Sequence, residues 1–256
     1  MATATASLVE YITSGRIADR LLDDTFLFPT VIIGYVLFAV WIGPAVMKNR
    51  KAFDLRGLLI AYNFLEVLIN GYITYSCVRL LYVERDKYCL LKKHPKYVPF
   101  VQNYDTLFRY IFMNKMLELA DTVFFVLRKK QNQVSFLHVS HHSLVCTLTW
   151  WCIRNIIHFG GFCVIMCIGI NAFIHCAMYS YYALAAFGPK VTKYLWWKKY
   201  ITLIQLAQFT FDIAYMTIAF VVGCEEVARM ELALYAFLCL LLVLFLNFFN
   251  QKYKTQ

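Results

Sequence analysis

Seven largely apolar runs of 16 to 28 residues, separated by short polar stretches rich in lysine and arginine, divide this chain. A helix needs about 20 apolar residues to cross the hydrocarbon core of a bilayer. The runs therefore predict spans at Leu27–Met47, Gly57–Leu81, Thr106–Leu127, Leu137–Cys152, Gly160–Phe187, Ile201–Gly223 and Leu232–Asn250. The fourth is short and its first turn is polar. Hydrophobic residues make up 61% of the chain, whereas soluble domains hold about half, so the excess is expected to face lipid. No Gly/Ser/Pro-rich linker, acidic tail or internal repeat divides the sequence. The expectation is one all-α polytopic membrane domain over residues 1–256. Residues 1–26, which hold no apolar stretch long enough for a cleaved signal peptide, precede the first span, and 251–256 form a basic tail.

The net charge of +10 does not form the single stripe that would point to nucleic acid. Basic residues cluster between spans instead: Lys48, Arg50 and Lys51; Arg128, Lys129 and Lys130; Lys190, Lys193, Lys198 and Lys199. The loops after spans one, three and five, with the C-terminus, hold 13 Lys and Arg against ten on the other side. Six of those ten fall in the long 79–98 loop, and long loops weigh less in setting orientation. The C-terminus is thus placed in the cytosol and the N-terminus in the lumen. Lys252 and Lys254, third and fifth from the end, resemble a dilysine signal for retrieval to the endoplasmic reticulum. The nine cysteines lie mostly in apolar runs and are not a disulfide scaffold. Cys89 and Cys224 alone fall in lumenal loops, where the oxidising compartment allows either a disulfide or two unpaired thiols.

Charged and strongly polar residues inside spans are costly and mark functional sites. Span three carries Lys115, Glu118, Asp121 and Thr122 on one helical face. Span four opens with His138, His141 and His142, three imidazoles in one turn. Span five carries Asn171, His175, Met178, Tyr179 and Tyr182 on one stripe. Span six carries Thr202, Gln205, Gln208, Phe209 and Asp212. All four sets are expected in the cytosolic half of the bilayer, which makes one shared cavity the economical reading.

Such a cavity admits more than one chemistry. A di-iron oxidase of the desaturase type needs about eight histidines, beyond the few nitrogen ligands that suit one iron, and this chain has six. His94 sits in the 79–98 loop and His158 at the far end of span four, which leaves four. A seven-span receptor or transporter would account for the polar faces but does not require three histidines in one turn. Acyl chemistry without metal or cofactor fits better. A neutral imidazole can attack a thioester, and a second can move protons. Cys146 and Cys176, beside the histidines, are the alternative thiol nucleophiles.

The motifs Lys115-Met-Leu-Glu118-Leu-Ala-Asp121-Thr122, His138-Val-Ser-His141-His142, Asn171-Ala-Phe-Ile-His175-Cys-Ala-Met178-Tyr179-Ser-Tyr181-Tyr182 and Thr202-Leu-Ile-Gln205-Leu-Ala-Gln208-Phe209 occur in that order, with Leu195-Trp196-Trp197-Lys198-Lys199 between the last two. Together they resemble the very-long-chain fatty-acid elongase (ELO) family of condensing enzymes. The resemblance implies seven helices, of which two to seven surround an acyl tunnel. It also implies condensation of malonyl-CoA with a long-chain acyl-CoA, giving a 3-oxoacyl-CoA two carbons longer, CO2 and CoA. By motif position His141 would carry an acyl-imidazole and His175 would assist condensation. His138, His142, Asn171, Asp121 and Gln205 would orient these groups or bind the thioester oxygen, with Lys115 and Glu118 beside them. Tyr179, Tyr182, Gln208, Lys129, Lys130, Lys198 and Lys199 would meet the substrates. No metal or bound cofactor is implied. The expected partners are CoA thioesters, membrane lipid and the reductases and dehydratase of the elongation cycle. Ser140, beside His141, departs from the bulkier residue expected there.

Overall fold

The computed structural model describes residues 16–85, 105–155, 162–223 and 229–254. Cys89, Cys224, His94 and His158 lie outside the described residues, as does the candidate disulfide. The side chain of Lys254 is likewise not described. Among the described residues all regular structure is helical. Ten helices follow in order: α1 Arg16–Asp23, α2 Leu27–Met47, α3 Arg56–Val83, α4 Asp105–Glu118, α5 Ala120–Leu127, α6 Phe136–Arg154, α7 Phe162–Ala186, α8 Pro189–Thr192, α9 Lys198–Val222 and α10 Arg229–Phe249. They form two compact units, Met1–Phe53 with Phe108–Asn155, and Asp54–Leu107 with Ile156–Gln256.

Among the described residues five helices are long and apolar enough to cross a membrane: Leu27–Met47, Arg56–Val83, Phe162–Ala186, Lys198–Val222 and Leu232–Tyr253. The first matches its expected bounds. The third expected span is instead two helices, α4 and α5, which meet at Leu119. The fourth, α6, is 19 residues long, and its histidine-bearing first turns dilute its apolar character. These two regions carry Lys115, Glu118, Asp121 and the three neighbouring histidines.

In the first unit, α2 widens to a π turn over Phe38–Ile42. Pro44 follows, lacking the amide hydrogen that an α-helix would use there, and the wider turn absorbs the mismatch. Gly43 is required for packing, because a Cβ there would lie 2.7 Å from the Val126 methyl on α5. Phe28 of α2 stacks on Trp150 of α6 at 4.9 Å and meets Phe112 of α4 at 5.7 Å. Trp150 donates its indole N–H to the Leu21 carbonyl, and Arg154 reaches that of Leu22. Arg109 forms an ion pair with Asp19. Asp24 accepts the backbone N–H groups of Phe26 and Leu27 just before α2, and these bonds hold its carboxyl below the usual carboxylate range.

In the second unit, α3 and α7 pack antiparallel along most of their length. The buried residues of α3 include Leu59, Asn63, Glu66, Asn70, Ile73 and Cys77, whose alternating steps of four and three make a seam of period 3.5. At one end Gly169 meets Cys77 so closely that an added Cβ would stand 2.9 Å from the Cys77 Cβ. Small residues at such a point let the backbones approach. At the other end the Arg56 guanidinium donates to the Ala186 and Phe187 carbonyls, capping the negative end of α7 with a cation. Gly188 then turns the chain at φ +89.

Candidate active site

In the first unit the histidine turn is built by a helix start. Ser135 caps α6, its hydroxyl accepting the His138 amide at 3.2 Å. The cap sets His138, His141 and His142 in the first two turns, and the ring centroids lie 4.4 Å apart for His138–His142 and 5.5 Å for His141–His142. His138 also packs on the Phe125 ring at 5.1 Å. Its Nε2 is 2.8 Å from Thr122 Oγ1, and the same oxygen is 2.7 Å from the Tyr35 hydroxyl. Thr122 is fully buried and Tyr35 nearly so, which makes Tyr35–Thr122–His138 a chain of hydrogen bonds shielded from water. Ser140 turns its hydroxyl back to the Phe136 carbonyl at 2.6 Å.

The Lys115–Glu118 pair lies one turn from that chain. Lys115 Nζ donates to both Glu118 oxygens at 2.8 and 3.1 Å, and the Asn114 amide adds a third bond at 3.1 Å. Both charges are buried, and pairing with extra hydrogen bonds is what makes that tolerable. The break between α4 and α5 falls on the next residue. Leu119 N–H reaches only to the Met116 carbonyl, at 3.3 Å, and so does not take the Lys115 carbonyl four residues back. The Cys146 thiol of α6 donates to that carbonyl at 3.1 Å. The thiol thus satisfies the acceptor that the interruption frees.

In the second unit, α7 carries Cys163, Cys167, Asn171, His175, Tyr179 and Tyr182 at steps of three and four, in a band that winds around the helix because four residues overshoot one turn. His175 is buried, and its ring lies 5.9 Å from Tyr179. Tyr179 has no exposed surface and meets Tyr62 and Tyr182 edge to face at 6.2 and 6.0 Å. It is thus an aromatic packing centre beside His175, while Tyr182 is 38% exposed. From α9, Gln205 approaches the Met178 sulfur at 3.9 Å, and Gln208 donates to Asp212 at 3.1 Å. Cys176 donates to the Val67 carbonyl at 3.6 Å. Lys129, Lys130, Lys198 and Lys199 are exposed. Lys198 lies over the Tyr181 ring, Lys199 over Phe249 and Tyr253, and Lys129 also reaches the Lys48 carbonyl.

Each unit thus gathers its own motif residues. The first brings together His138, His141, His142 and Thr122, with the Lys115–Glu118 pair nearby, and half-buries Asp121. The second aligns Asn171 and His175 on α7. Sequence reasoning overlooked Tyr35, Asn114 and the α3 seam. Asn63, Glu66 and Asn70 are all buried in mid-helix, with the Asn70 amide bonded to the Glu66 carboxylate at 3.1 Å. Their signal was in plain view: a carboxylate flanked by amides at three and four residues inside an apolar run. Among the described residues no group of three or more His, Cys, Asp or Glu is placed to hold a metal ion.

The ELO: GNS1/SUR4 family model matches residues 20–256. The chain is 41% identical to "Very long chain fatty acid elongase 4" of Macaca mulatta, over 99% of this chain and 82% of that protein. It is 36% identical to "Very long chain fatty acid elongase 2" of Mus musculus over 94% and 81% of the two chains. It is also 37% identical to "Very long chain fatty acid elongase 7" of Rattus norvegicus, over 93% and 85%. All four motifs fall within the matched residues, and the chain belongs to the ELO family.

Proposed function

We propose that this protein is the condensing enzyme of fatty-acid elongation, a 3-oxoacyl-CoA synthase joining malonyl-CoA to a long-chain acyl-CoA. The observation that carries the reading is the three-histidine turn, tied through Thr122 Oγ1 to a buried Tyr35. Hydrogen bonding of this kind fixes the orientation of His138, whose ring meets His142 in the turn that carries His141. The names of the relatives support fatty-acid elongation.

In this reading a neutral His141 attacks the acyl-CoA carbonyl. A C–N bond forms as the C–S bond breaks, and CoA leaves as the thiol with the imidazole proton. Malonyl-CoA then loses CO2. The enolate carbon attacks the acyl-imidazole, a C–C bond forms as the C–N bond breaks, and the leaving imidazole takes up a proton from solvent, which regenerates neutral His141. His175 assists by stabilising the enolate oxygen, with Asn171 and Gln205 as further donors. His138, His142 and Asp121 orient the imidazoles, and the Lys115–Glu118 pair anchors the helix beside them. Lys129, Lys130, Lys198 and Lys199 meet the CoA phosphates. Cys146 and Cys176 each donate to a backbone carbonyl, which supports an imidazole nucleophile over a thiol. The reaction takes place at the endoplasmic reticulum, with seven spans, a lumenal N-terminus, a cytosolic C-terminus and helices two to seven around the acyl chain. Reductases and a dehydratase then process the product.

The test uses the full chain in detergent with radiolabelled malonyl-CoA and a panel of acyl-CoAs, beside His141→Ala and His175→Ala. Labelled 3-oxoacyl-CoA is expected from the wild type and from neither variant. Without malonyl-CoA, peptide mass spectrometry is expected to find the acyl group on His141. Product from His141→Ala, or none from any chain length in folded wild type, would overturn the reading.

A further inference from the structure

The second unit holds a buried carboxyl that the condensation does not use. Asp212 of α9 has no solvent-exposed surface. The Cys167 thiol of α7 lies beside it, and Phe209 and Met216, three and four residues away on α9, belong to an apolar cluster with Cys163, Cys167, Leu238 and Leu241. One oxygen, Oδ2, accepts from the Gln208 amide at 3.1 Å. The other, Oδ1, has no hydrogen bond among the described residues, with the Cys167 thiol beside the carboxyl as at best a weak donor. A carboxyl kept among apolar side chains without a cation costs stability, and a sequence under no other demand would place leucine or threonine there.

Its position gives it a use. Cys167 lies on the same winding band of α7 as His175, two turns back through Asn171. Eight residues of helix separate them, roughly 12 Å, about the length of ten carbons of an extended acyl chain. α7 and α9 run antiparallel here, with Met178 meeting Gln205 near His175 and Cys167 meeting Asp212 farther along. An acyl chain that condenses beside His175 and then follows this stripe passes Asp212 part-way along its length.

Resting on the elongase reading, we infer that Asp212 and Gln208 form a polar subsite that selects acyl chains carrying a mid-chain hydroxyl group. A hydroxyl suits this site whatever the protonation state of the carboxyl, because it donates to a carboxylate and accepts from a carboxylic acid. An unsubstituted chain leaves Oδ1 buried and unsatisfied, and hydrogen bonds to charged groups are worth about ten- to a hundredfold in binding.

The experiment measures kcat/KM for a saturated acyl-CoA and for its monohydroxy isomers, the hydroxyl moved between about carbons 6 and 14 to bracket the helix spacing. Wild-type full-length protein runs beside Asp212→Leu and Asp212→Asn. The wild type is expected to favour one hydroxyl position by about tenfold or more over the unsubstituted chain. Asp212→Leu is expected to reverse that order, raising kcat/KM for the unsubstituted chain, and Asp212→Asn to keep part of the preference. A flat hydroxyl scan by wild type that still elongates unsubstituted chains would overturn the assignment alone, whether or not the variants fold. The same preference in Asp212→Leu would also overturn it. Absence of product from every chain would overturn the elongase reading and this assignment with it.

Discussion

Thr122→Val is the sharpest probe of the histidine turn, because it deletes one oxygen and leaves the volume of the side chain unchanged. That oxygen serves two partners, the Tyr35 hydroxyl at 2.7 Å and His138 Nε2 at 2.8 Å. Without it both lose their shared partner, Tyr35 in a buried place and His138 in a part-buried one. A buried polar group deprived of its partner costs about 1–3 kcal/mol, so the two together come to about 2–6 kcal/mol. In a chain of this size that corresponds to a melting temperature lower by about 10 °C. Turnover suffers separately, because a His138 ring released from Thr122 loses the orientation it passes to His142, and small misplacements cost about ten- to a hundredfold. Thr122→Ser keeps the oxygen and is expected to retain most of both. Tyr35→Phe leaves the Thr122–His138 bond intact and costs about 1 kcal/mol; added to Thr122→Val it is expected to cost little more, a coupling of about 1 kcal/mol. The assays are thermal unfolding in detergent and radiolabelled malonyl-CoA incorporation for the four proteins and the double variant. Identical behaviour of the serine and valine variants, or strictly additive losses from Tyr35→Phe and Thr122→Val, would refute the hydrogen-bond chain.

Three further expectations follow from the packing. Cys146→Ala is expected to keep turnover within a few-fold while losing about 1 kcal/mol with the bond to the Lys115 carbonyl; complete loss of product in folded Cys146→Ala would restore the thiol as nucleophile. Gly169→Ala puts a methyl 2.9 Å from the Cys77 Cβ and is expected to destabilise by about 1–3 kcal/mol. Cys77→Gly should rescue it and Cys77→Ala should not, as judged by thermal unfolding of the three. Asp24 has a folded pKa below its ordinary value, so its contribution is complete above the ordinary carboxylate range and is lost as pH falls through the lowered value. Asp24→Ala is therefore expected to differ from wild type in melting temperature at neutral pH and to converge with it in strong acid; a constant difference would show that the carboxylate charge is irrelevant.

Much of this was legible in the sequence because the relevant groups are near neighbours in the chain. The bounds of the first span follow from uninterrupted apolar character, and the Lys115–Glu118 pair from a three-residue offset on a helix. The adjacency of the three histidines follows the same geometry. What escaped depends on partners far along the chain. The span that reads as continuous from Thr106 to Leu127 is broken at Leu119 in the fold, and the acceptor freed there is satisfied by a thiol 31 residues away. Tyr35 looked like one aromatic residue in an apolar run, and only folding brings it to Thr122. Tyr179 reads as a substrate contact by motif, yet its ring is enclosed by Tyr62, His175 and Tyr182. The α3 seam is legible too, because Asn63, Glu66 and Asn70 interrupt an apolar run at helical spacing.

The antiparallel pairing of α3 and α7 carries a consequence for how such a protein can change. Arg56 hooks the last carbonyls of α7 at one end, and Gly169 admits Cys77 at the other. Sliding one helix past its mate by a turn, about 5.4 Å, would unhook the guanidinium and drive Cβ atoms into backbone. The depth of His175 along α7 is therefore fixed relative to α3, and change in this unit falls to its side chains rather than to the register of its helices.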